Sequence, residues 1–353
     1  MKKLLDSIVE SLKKNQPVVL VSVIASSGST PRGAGAMMAV FPLNKADSAT
    51  TGMSAGEPAT LSTGTIGGGA VEYEAIRQAT LMFDTKHSRI SSYSLDRSDV
   101  ADLGMICGGD VTVFYEYLDP ADVRTLELYE YIRAAFSKDE NVWLVRMFKN
   151  NAPVETAVFD SGGLRFADLI KETDIKPLLG NSPELSGGNP QYYTEPIVRA
   201  GRVYVFGGGH VSQELVPLLS HVGFSVVVYE DRENFAKEEL FPDASEIVLN
   251  DFLRISDKVT VGAPDYVVVM TRGHQNDYDV LEQMLRTPAR YVGCIGSASK
   301  LDATKRRLIE AGVSEAAFDK LYSPIGLKIK AETPAEIAVS VAAEMILFRA
   351  SVS

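Results

Sequence analysis

The residues best suited to chemistry lie in short glycine-rich segments that stand directly before predicted helices. The strongest is RVYVFGGGHVSQEL at 202–215, in which Gly207 and Gly209 follow a predicted strand and His210 opens a helix. Gly207 permits a tight turn, and Gly209 lets a ligand approach the backbone closely. The helix start offers free amide groups to a phosphate. This segment predicts a nucleotide-binding turn; the alternative is a vestigial turn that only packs the helix.

Two acidic residues lie at the position where nucleotide-binding βαβ units carry a carboxylate that binds the ribose. Glu230 and Asp231 end the next predicted strand, about 23 residues after Gly207. A carboxylate at this point of a βαβ unit accepts hydrogen bonds from ribose hydroxyls. We expect Asp231 to take part in binding a nucleotide.

Two of the four histidines follow neighbouring predicted strands. His210 follows the first strand of the second half, and His274 follows the fourth within TRGHQND at 271–277. We expect both to face one crevice near Asp231 and Asp277, where they would share a metal ion, a phosphate or a proton. The alternative is that each histidine belongs to its own helix and points to solvent.

The first half carries a second glycine turn and an arginine loop. Gly67, Gly68 and Gly69 precede a predicted helix in TIGGGA at 65–70, and Arg32 lies in STPRGAG at 29–35. The turn can bind an anion at the helix start or can simply join a strand to a helix. Arg32 can hold a phosphate or carboxylate through two hydrogen bonds or can remain solvated on its loop.

Each of the two cysteines has a different setting. Cys107 precedes Gly108 and Gly109, where the backbone can come close to a bound group and a thiolate could ligate a soft metal. The alternative from the residues alone is a small buried side chain at the start of a strand. Cys294 lies within a predicted strand, and we expect it to belong to the core.

The pattern of the first half predicts an α+β domain with β-hairpins over residues 1–171. Helical spacing of apolar residues predicts helices at 4–14, after Gly69 and after Pro120. The polar stretch 44–63 is predicted as a long loop. Predicted strands cover 18–25, 33–41, 111–118, 141–148 and 152–159.

The second half alternates short β-branched runs with helices. Alternation of this kind predicts a parallel, Rossmann-type sheet over 201–353, with strand order 3-2-1-4-5. Residues 172–200 hold four prolines and little periodicity, so we predict a linker there. The predicted strands are 202–206, 225–229, 246–249, 265–270 and 290–295.

Composition narrows the class of protein. The 353 residues include 35 Lys and Arg against 46 Asp and Glu, which gives a net charge of −11. This charge argues against a nucleic-acid partner and against a polybasic membrane surface. The longest apolar run is far shorter than the roughly 18 residues of a membrane helix. Two distant cysteines exclude a disulfide framework, so we expect a cytoplasmic protein.

Taken in order, these segments resemble a known family. GSTPRGAGAMM, GTIGGGAVE and CGGDV in the first half are similar to signature blocks of the XdhC/CoxI family, the xanthine dehydrogenase accessory factors. VYVFGGGHVSQEL, YEDRENFA, TRGHQNDYDVL, YVGCIGSASK and SPIGLKIKAETPAEIAVSVAAEMI resemble its Rossmann half. The resemblance covers roughly 18–120 and 200–350.

The resemblance implies an accessory protein rather than a metabolic enzyme. It would bind the molybdenum cofactor and deliver it, sulfurated, to a molybdenum hydroxylase such as xanthine dehydrogenase. Cys107 maps onto the family cysteine taken to hold the cofactor and its metal; a cysteine desulfurase partner and a homodimer are further implications. Ala70, where many relatives carry a second cysteine, argues against a two-thiol mechanism, and Lys328 and Lys330 also depart from the family pattern.

Two other functions stay open at this point. One is an NAD(P)-dependent oxidoreductase with His210 or His274 as its acid–base group. The other is a regulatory protein whose Rossmann half senses NAD(P) or another nucleotide. The ligand that copurifies with the protein distinguishes these two interpretations from a cofactor chaperone.

Overall fold

The computed structural model describes residues 1–43, 60–94, 109–135, 140–198, 201–296 and 298–351. The chain divides into two compact units, Met1–Arg199 and Ala200–Ser353. Each unit builds its own core around its own sheets. None of the helices in the described part of the chain is long and apolar enough to cross a membrane.

The first unit contains two antiparallel five-stranded sheets. The sheet that carries the arginine loop and the glycine turn has the order β3-β2-β1-β5-β4, and the other has the order β8-β7-β6-β10-β9. Its helices are α1 (Lys2–Lys13), α2 (Gly69–Thr85), α3 (Val123–Ala135) and the short α4 (Glu172–Ile175). Its strands are β1 (Val18–Gly28), β2 (Met37–Pro42), β3 (Thr60–Gly64), β4 (Arg89–Ser94), β5 (Gly109–Leu118), β6 (Val142–Lys149), β7 (Ala152–Asp160), β8 (Gly163–Arg165), β9 (Glu184–Leu185) and β10 (Gln191–Val198).

Apolar faces of the helices explain how the first sheet is covered. Leu5, Ile8 and Leu12 recur along α1 at helical spacing and pack with α3 into a core that both sheets share. On the opposite face, Ala75 and Ala79 of α2 pack closely against β1 and β5. The first sheet is therefore covered on both faces, and the loops of interest lie at one end of its strands.

The predicted hairpins β1–β2 and β6–β7 are confirmed by their antiparallel pairing. Two other predictions need correction. Residues 60–63 of the predicted loop 44–63 belong to the edge strand β3, whose polar residues hide any alternation. Residues 184–198 of the predicted linker form β9 and β10, and β10 pairs with β6. The division between the units falls at Arg199. The sequence did not indicate β10, because Glu195 and Pro196 are unusual in an inner strand.

A buried ionic cluster lies between the two sheets of the first unit. Arg146 on β6 is fully buried and donates two hydrogen bonds, of 3.2 and 3.0 Å, to Glu116 on β5. Glu116 also accepts from Thr156 at 2.6 Å. Glu195 on β10 lies 4.0 Å from Arg146 and accepts from Tyr193 at 3.0 Å. The cluster joins the two sheets through charge as well as through apolar packing.

The second unit is a six-stranded parallel sheet in the order β13-β12-β11-β14-β15-β16. Its strands are β11 (Arg202–Phe206), β12 (Ser225–Glu230), β13 (Glu246–Leu249), β14 (Tyr266–Val269), β15 (Tyr291–Cys294) and β16 (Leu321–Tyr322). Its helices are α5 (His210–His221), α6 (His274–Met284), α7 (Ala298–Glu310), α8 (Glu315–Phe318) and α9 (Pro334–Ser351). The predicted parallel order is confirmed and gains a sixth, very short strand.

The helices of the second unit cover both faces of its sheet. Leu215 and Leu219 of α5 pack with α9 on one face, whereas Val280 and Leu281 of α6 pack on the other. Strand order reverses between β11 and β14, which pair with each other directly. Ligands of open α/β sheets bind at such a reversal, beyond the carboxyl ends of the strands. Cys294 is buried in β15 as predicted.

Candidate functional site

The arginine loop and the glycine turn of the first unit lie against each other. Gly67 has φ +128°, and a Cβ atom added there would lie 2.6 Å from the Cβ of Pro31 and 3.3 Å from the amide nitrogen of Arg32. This close approach requires glycine at position 67. Two segments about 35 residues apart in sequence therefore form one edge, and Arg32 is exposed on it.

The strand that follows the cysteine motif begins at the same edge. Gly109 pairs with Gly28 at the end of β1, and a Cβ atom at Gly109 would lie 2.4 Å from the carbonyl oxygen of Ser27. It would also lie 3.0 Å from the amide nitrogen of Ser29, which opens the arginine loop. Cys107 and Gly108 lie outside the described residues; the sequence places Cys107 two residues before Gly109. We call this edge, formed by 29–35, 65–70 and 109–110, the loop cluster.

A carboxylate of the chain itself fills the glycine turn. Glu72, in the first turn of α2, accepts hydrogen bonds from the amides of Ile66 and Gly68, each at 3.0 Å, and from the hydroxyl of Thr65. Burial opposes ionisation of Glu72, but these hydrogen bonds outweigh it and lower its pKa. The turn of Gly67, Gly68 and Gly69 therefore has a carboxylate of the chain itself bound to two of its amides, which sequence reasoning missed. The signal available was an acid in the first turn of a predicted helix.

Replacing Glu72 with glutamine is expected to destabilise the first unit by about 1–2 kcal/mol at pH 7, because charged acceptors bind amide donors more strongly than neutral ones. A carboxyl whose pKa is lowered by folding contributes stability above its unfolded pKa and loses it as the pH falls. The deficit of the variant should therefore shrink below about pH 4.5. Urea unfolding followed by fluorescence of Trp143, the single tryptophan, measures it. Glu74→Gln on the surface of α2 is the control, and an equal loss in both variants would contradict the role given to Glu72.

The glycine turn of the second unit divides into one crowded and one open position. A Cβ atom at Gly207, which has φ +106°, would lie 2.4 Å from the carbonyl oxygen of Met270. Gly209 has φ −70°, and nothing lies within 4 Å of a Cβ atom added there. Ser212 is fully buried and donates to the carbonyl of Gly207. Gly207 thus closes the turn against β14, while Gly209 faces open space at the start of α5.

The first acid at the end of β12, Glu230, forms its hydrogen bonds with the protein itself. Glu230 is fully buried and accepts from the amide of Gly208 at 2.5 Å. The guanidinium of Arg232 donates to both of its carboxylate oxygens, at 2.7 and 3.0 Å. These bonds outweigh the effect of burial and lower the pKa of Glu230. Glu230 ties the glycine turn to the strand end and has no acceptor left for a ribose.

Asp231, the residue that we predict to contact a ribose, is the carboxylate of this pair that reaches the surface. Burial and the neighbouring charge of Glu230 raise its pKa, although its side chain remains about one-third exposed. Arg232 stacks over the ring of Phe235 at 3.9 Å. Sequence reasoning did not single out Arg232, although an arginine directly after two acids signals an ion pair.

His210 and His274 are the first residues of α5 and α6, and both are exposed. Their helices follow neighbouring strands but lie on opposite faces of the sheet. The two histidines therefore lie at the starts of helices that cover opposite faces of the sheet, one on each side of the crevice. Asp277 accepts from the amide and hydroxyl of Thr271, at 3.0 and 2.6 Å, and burial raises its pKa. Among the side chains described, no group of three or more His, Cys, Asp and Glu residues forms a candidate metal site.

Fold and site together define a two-unit α/β protein that combines a glycine-turn cluster with a Rossmann-type unit. The family model described as "XdhC and CoxI family" matches residues 11–94, and the model described as "XdhC Rossmann domain" matches residues 203–345. The chain belongs to the XdhC and CoxI family, as its motifs predicted.

The chain is also similar to two named bacterial proteins and to a protein of known structure. A protein of Bacillus subtilis strain 168, named as a probable subunit of xanthine dehydrogenase, is 26% identical over 355 residues, which cover 99% of this chain and 98% of that protein. The uncharacterized protein YqeB of Escherichia coli K12 is 30% identical over 145 residues, 41% of this chain and 27% of its own length. A crystal structure described as a xanthine dehydrogenase from Bacillus halodurans is similar with a TM-score of 0.79 at 26% identity, over 98% of this chain and 96% of that one.

Proposed function

We propose that this protein is an accessory factor that binds the molybdenum cofactor and delivers it, in sulfurated form, to a molybdenum hydroxylase of the xanthine dehydrogenase kind. The observation that carries the proposal is the loop cluster. Arg32, Gly67 and Gly109 come from three distant segments and meet at one end of the strands of the first sheet, where Arg32 is exposed. Family membership and the names of the relatives support the same function.

The chemistry of the loop cluster suits a flat, sulfur-rich, anionic cargo. Gly67 and Gly109 pack closely against the chain segments beside them. With no side chain at either position, the loop cluster can come close to a planar ligand. A thiolate two residues before Gly109 would supply a soft ligand for the metal or its sulfur. Arg32 would supply a positive charge for the anionic groups.

A hydroxylase partner is proposed from the relatives. One relative is named as a probable part of xanthine dehydrogenase, and the similar crystal structure is described as xanthine dehydrogenase. A protein that carries such a cofactor would meet the enzyme that uses it. Sulfuration would need a sulfur donor, and a cysteine desulfurase is the class that we propose for it.

Exchange of Cys107 for alanine is expected to abolish retention of the cofactor while the fold stays nearly intact, with a loss of about 1 kcal/mol. Molybdenum content and the fluorescence of the oxidised pterin are measured after gel filtration of protein from cells that make the cofactor. Cys294→Ala is the matched control, because it removes the other thiol, which is buried in the second unit. Equal retention by wild type and Cys107→Ala would overturn the proposal.

We also propose that the second unit binds a nucleotide at the turn of Gly207 and Gly209. The open position at Gly209 favours it, because a phosphate can approach the amides at the start of α5 there. Nucleotide binding without turnover would identify a sensor that controls delivery, whereas hydride transfer from NAD(P)H would identify an oxidoreductase. Calorimetry with NAD and NADP, followed by an absorbance assay at 340 nm, separates the two.

A further inference from the structure

We infer that a cleft beside Arg32 in the first unit binds a phosphate group, with Lys3 as its second cationic side chain. The inference rests on the proposed function in one respect only, namely that the phosphate belongs to the cofactor carried by the loop cluster. The cleft has a volume of about 290 Å³. Its walls include Lys3, Leu4, Arg32, Met37, Thr63 and Thr65.

The charge of the cleft is the first argument. The chain has a net charge of −11, yet the side chains that line the cleft include two cations and no acid. Within the described part of the chain, neither Lys3 nor Arg32 forms an ion pair. Two uncompensated cations at a concave surface concentrate a positive potential and attract anions. Several arginines of the first unit do have a carboxylate partner, as Arg77 has Glu74 at 2.7 Å and Arg165 has Asp160 at 2.7 Å.

The glycine turn next to the cleft does not compete for the same anion. Glu72 already occupies the amides of Ile66 and Gly68, so a phosphate at this turn would meet a carboxylate instead of free donors. Thr65 also donates its hydroxyl to Glu72. We therefore assign the phosphate to Lys3 and Arg32 rather than to the amides of Ile66 and Gly68.

Shape and polarity define the ligand further. Leu4 and Met37 are buried and give the cleft an apolar floor, while Thr63 adds a hydroxyl at its wall. The volume is near the lower end for small-molecule pockets, so the cleft fits a phosphate with part of an organic group attached. Arg32 lines the cleft and also stands in the loop cluster, so a phosphate ester can sit here while the rest of the ligand lies on the glycine edge.

The test uses the full chain and inorganic phosphate as the first probe. Lys3→Gln and Arg32→Gln are each expected to weaken phosphate binding about tenfold at constant ionic strength, as the loss of one charge-assisted hydrogen bond predicts. Lys14→Gln, an exposed lysine at the end of the same helix outside the cleft, is the matched control and should bind as wild type does. Calorimetry measures the affinity, and the Trp143 unfolding curve confirms that each variant folds.

Retention of the pterin provides the second arm. If wild type retains the pterin, Lys3→Gln and Arg32→Gln should lose most of it and Lys14→Gln should not. Unchanged phosphate affinity in both cleft variants would overturn the inference, even if Cys107→Ala loses the cofactor. Loss of phosphate affinity in a protein that never retains pterin would support the cleft as a phosphate site for a different ligand and would count against the proposed function alone.

Discussion

Replacing Arg146 with methionine is expected to destabilise the first unit by about 3–5 kcal/mol. The change keeps much of the side-chain volume but leaves Glu116 and Glu195 buried without their cation. Removing one partner of a buried ion pair costs this much because the remaining charge has no solvent around it. Arg146 also lies 5.3 Å from the centre of the Phe114 ring, so a favourable cation–π contact is lost as well.

Urea unfolding followed by Trp143 fluorescence reads this loss directly, because Trp143 lies on β6 with Arg146. Arg77→Met is the control; Arg77 pairs with Glu74 on the exposed face of α2, where such pairs contribute less than about 1 kcal/mol. The double variant Arg146→Met/Glu116→Gln should recover part of the stability, since it removes one of the stranded charges. A loss no larger than that of Arg77→Met would show that the cluster is not energetically important.

The deficit of Arg146→Met should grow with pH. Burial raises the pKa of Glu195 to about 7, and the charge of Arg146 opposes this rise. Without Arg146 the pKa of Glu195 rises further in the folded protein. When the pKa of a carboxyl is higher in the folded than in the unfolded protein, the protein becomes less stable as the pH rises above the unfolded pKa, here near 4.5. The variant should therefore be closest to wild type near pH 5 and furthest from it above pH 7.

Gly207→Ala and Gly209→Ala, the same change two residues apart, are expected to separate folding from binding in the second unit. At Gly207 the backbone strain alone costs about 1–3 kcal/mol, and the new Cβ must also displace the backbone of Met270, which directly follows β14. At Gly209 the Cβ meets nothing and the backbone conformation is ordinary, so stability should change by less than about 1 kcal/mol.

Two signals report on the two units of these variants. Far-ultraviolet circular dichroism follows both units, whereas Trp143 fluorescence follows the first unit alone, so Gly207→Ala should shift only the part of the transition that lacks a fluorescence change. Gly209→Ala should fold normally and lose nucleotide affinity, because its methyl group occupies the space open to a phosphate. Normal stability of Gly207→Ala, or unchanged nucleotide affinity of Gly209→Ala, would contradict the division of roles within the turn.

The sequence predicted the second unit far better than the first. Its strands are short β-branched runs buried on both faces, such as Val226–Val228, and the helices between them give a clear alternation. In the first unit β10 carries Glu195 and Pro196, which ordinarily argue against an inner strand. Glu195 is tolerated there because Arg146 of the neighbouring strand β6 lies 4.0 Å from it and Tyr193 donates a hydrogen bond to it. Arg146 is distant in sequence, so no local pattern reveals this partner.

The candidate sites show the same limit. Gly67 and Arg32 were each singled out by type, but only the fold reveals that their two loops lie against each other. The motifs also did not show that Glu72 and Glu230 would fill donors of the two glycine turns. In both turns, a carboxylate reaches an amide through a side-chain conformation that depends on its surroundings. Local sequence therefore located the turns but could not say which of their donors remain open.

The cluster around Arg146 limits where the chain can be cut into fragments or exchanged between relatives. Its carboxylate Glu116 comes from one sheet, whereas Arg146 and Glu195 come from the other. A fragment that ends before residue 140 would keep a carboxylate without its cation and would expose the apolar face that α1 and α3 share with the second sheet. The first 199 residues thus form one indivisible module, and boundaries for domain swaps between relatives belong at Arg199 rather than between the two sheets.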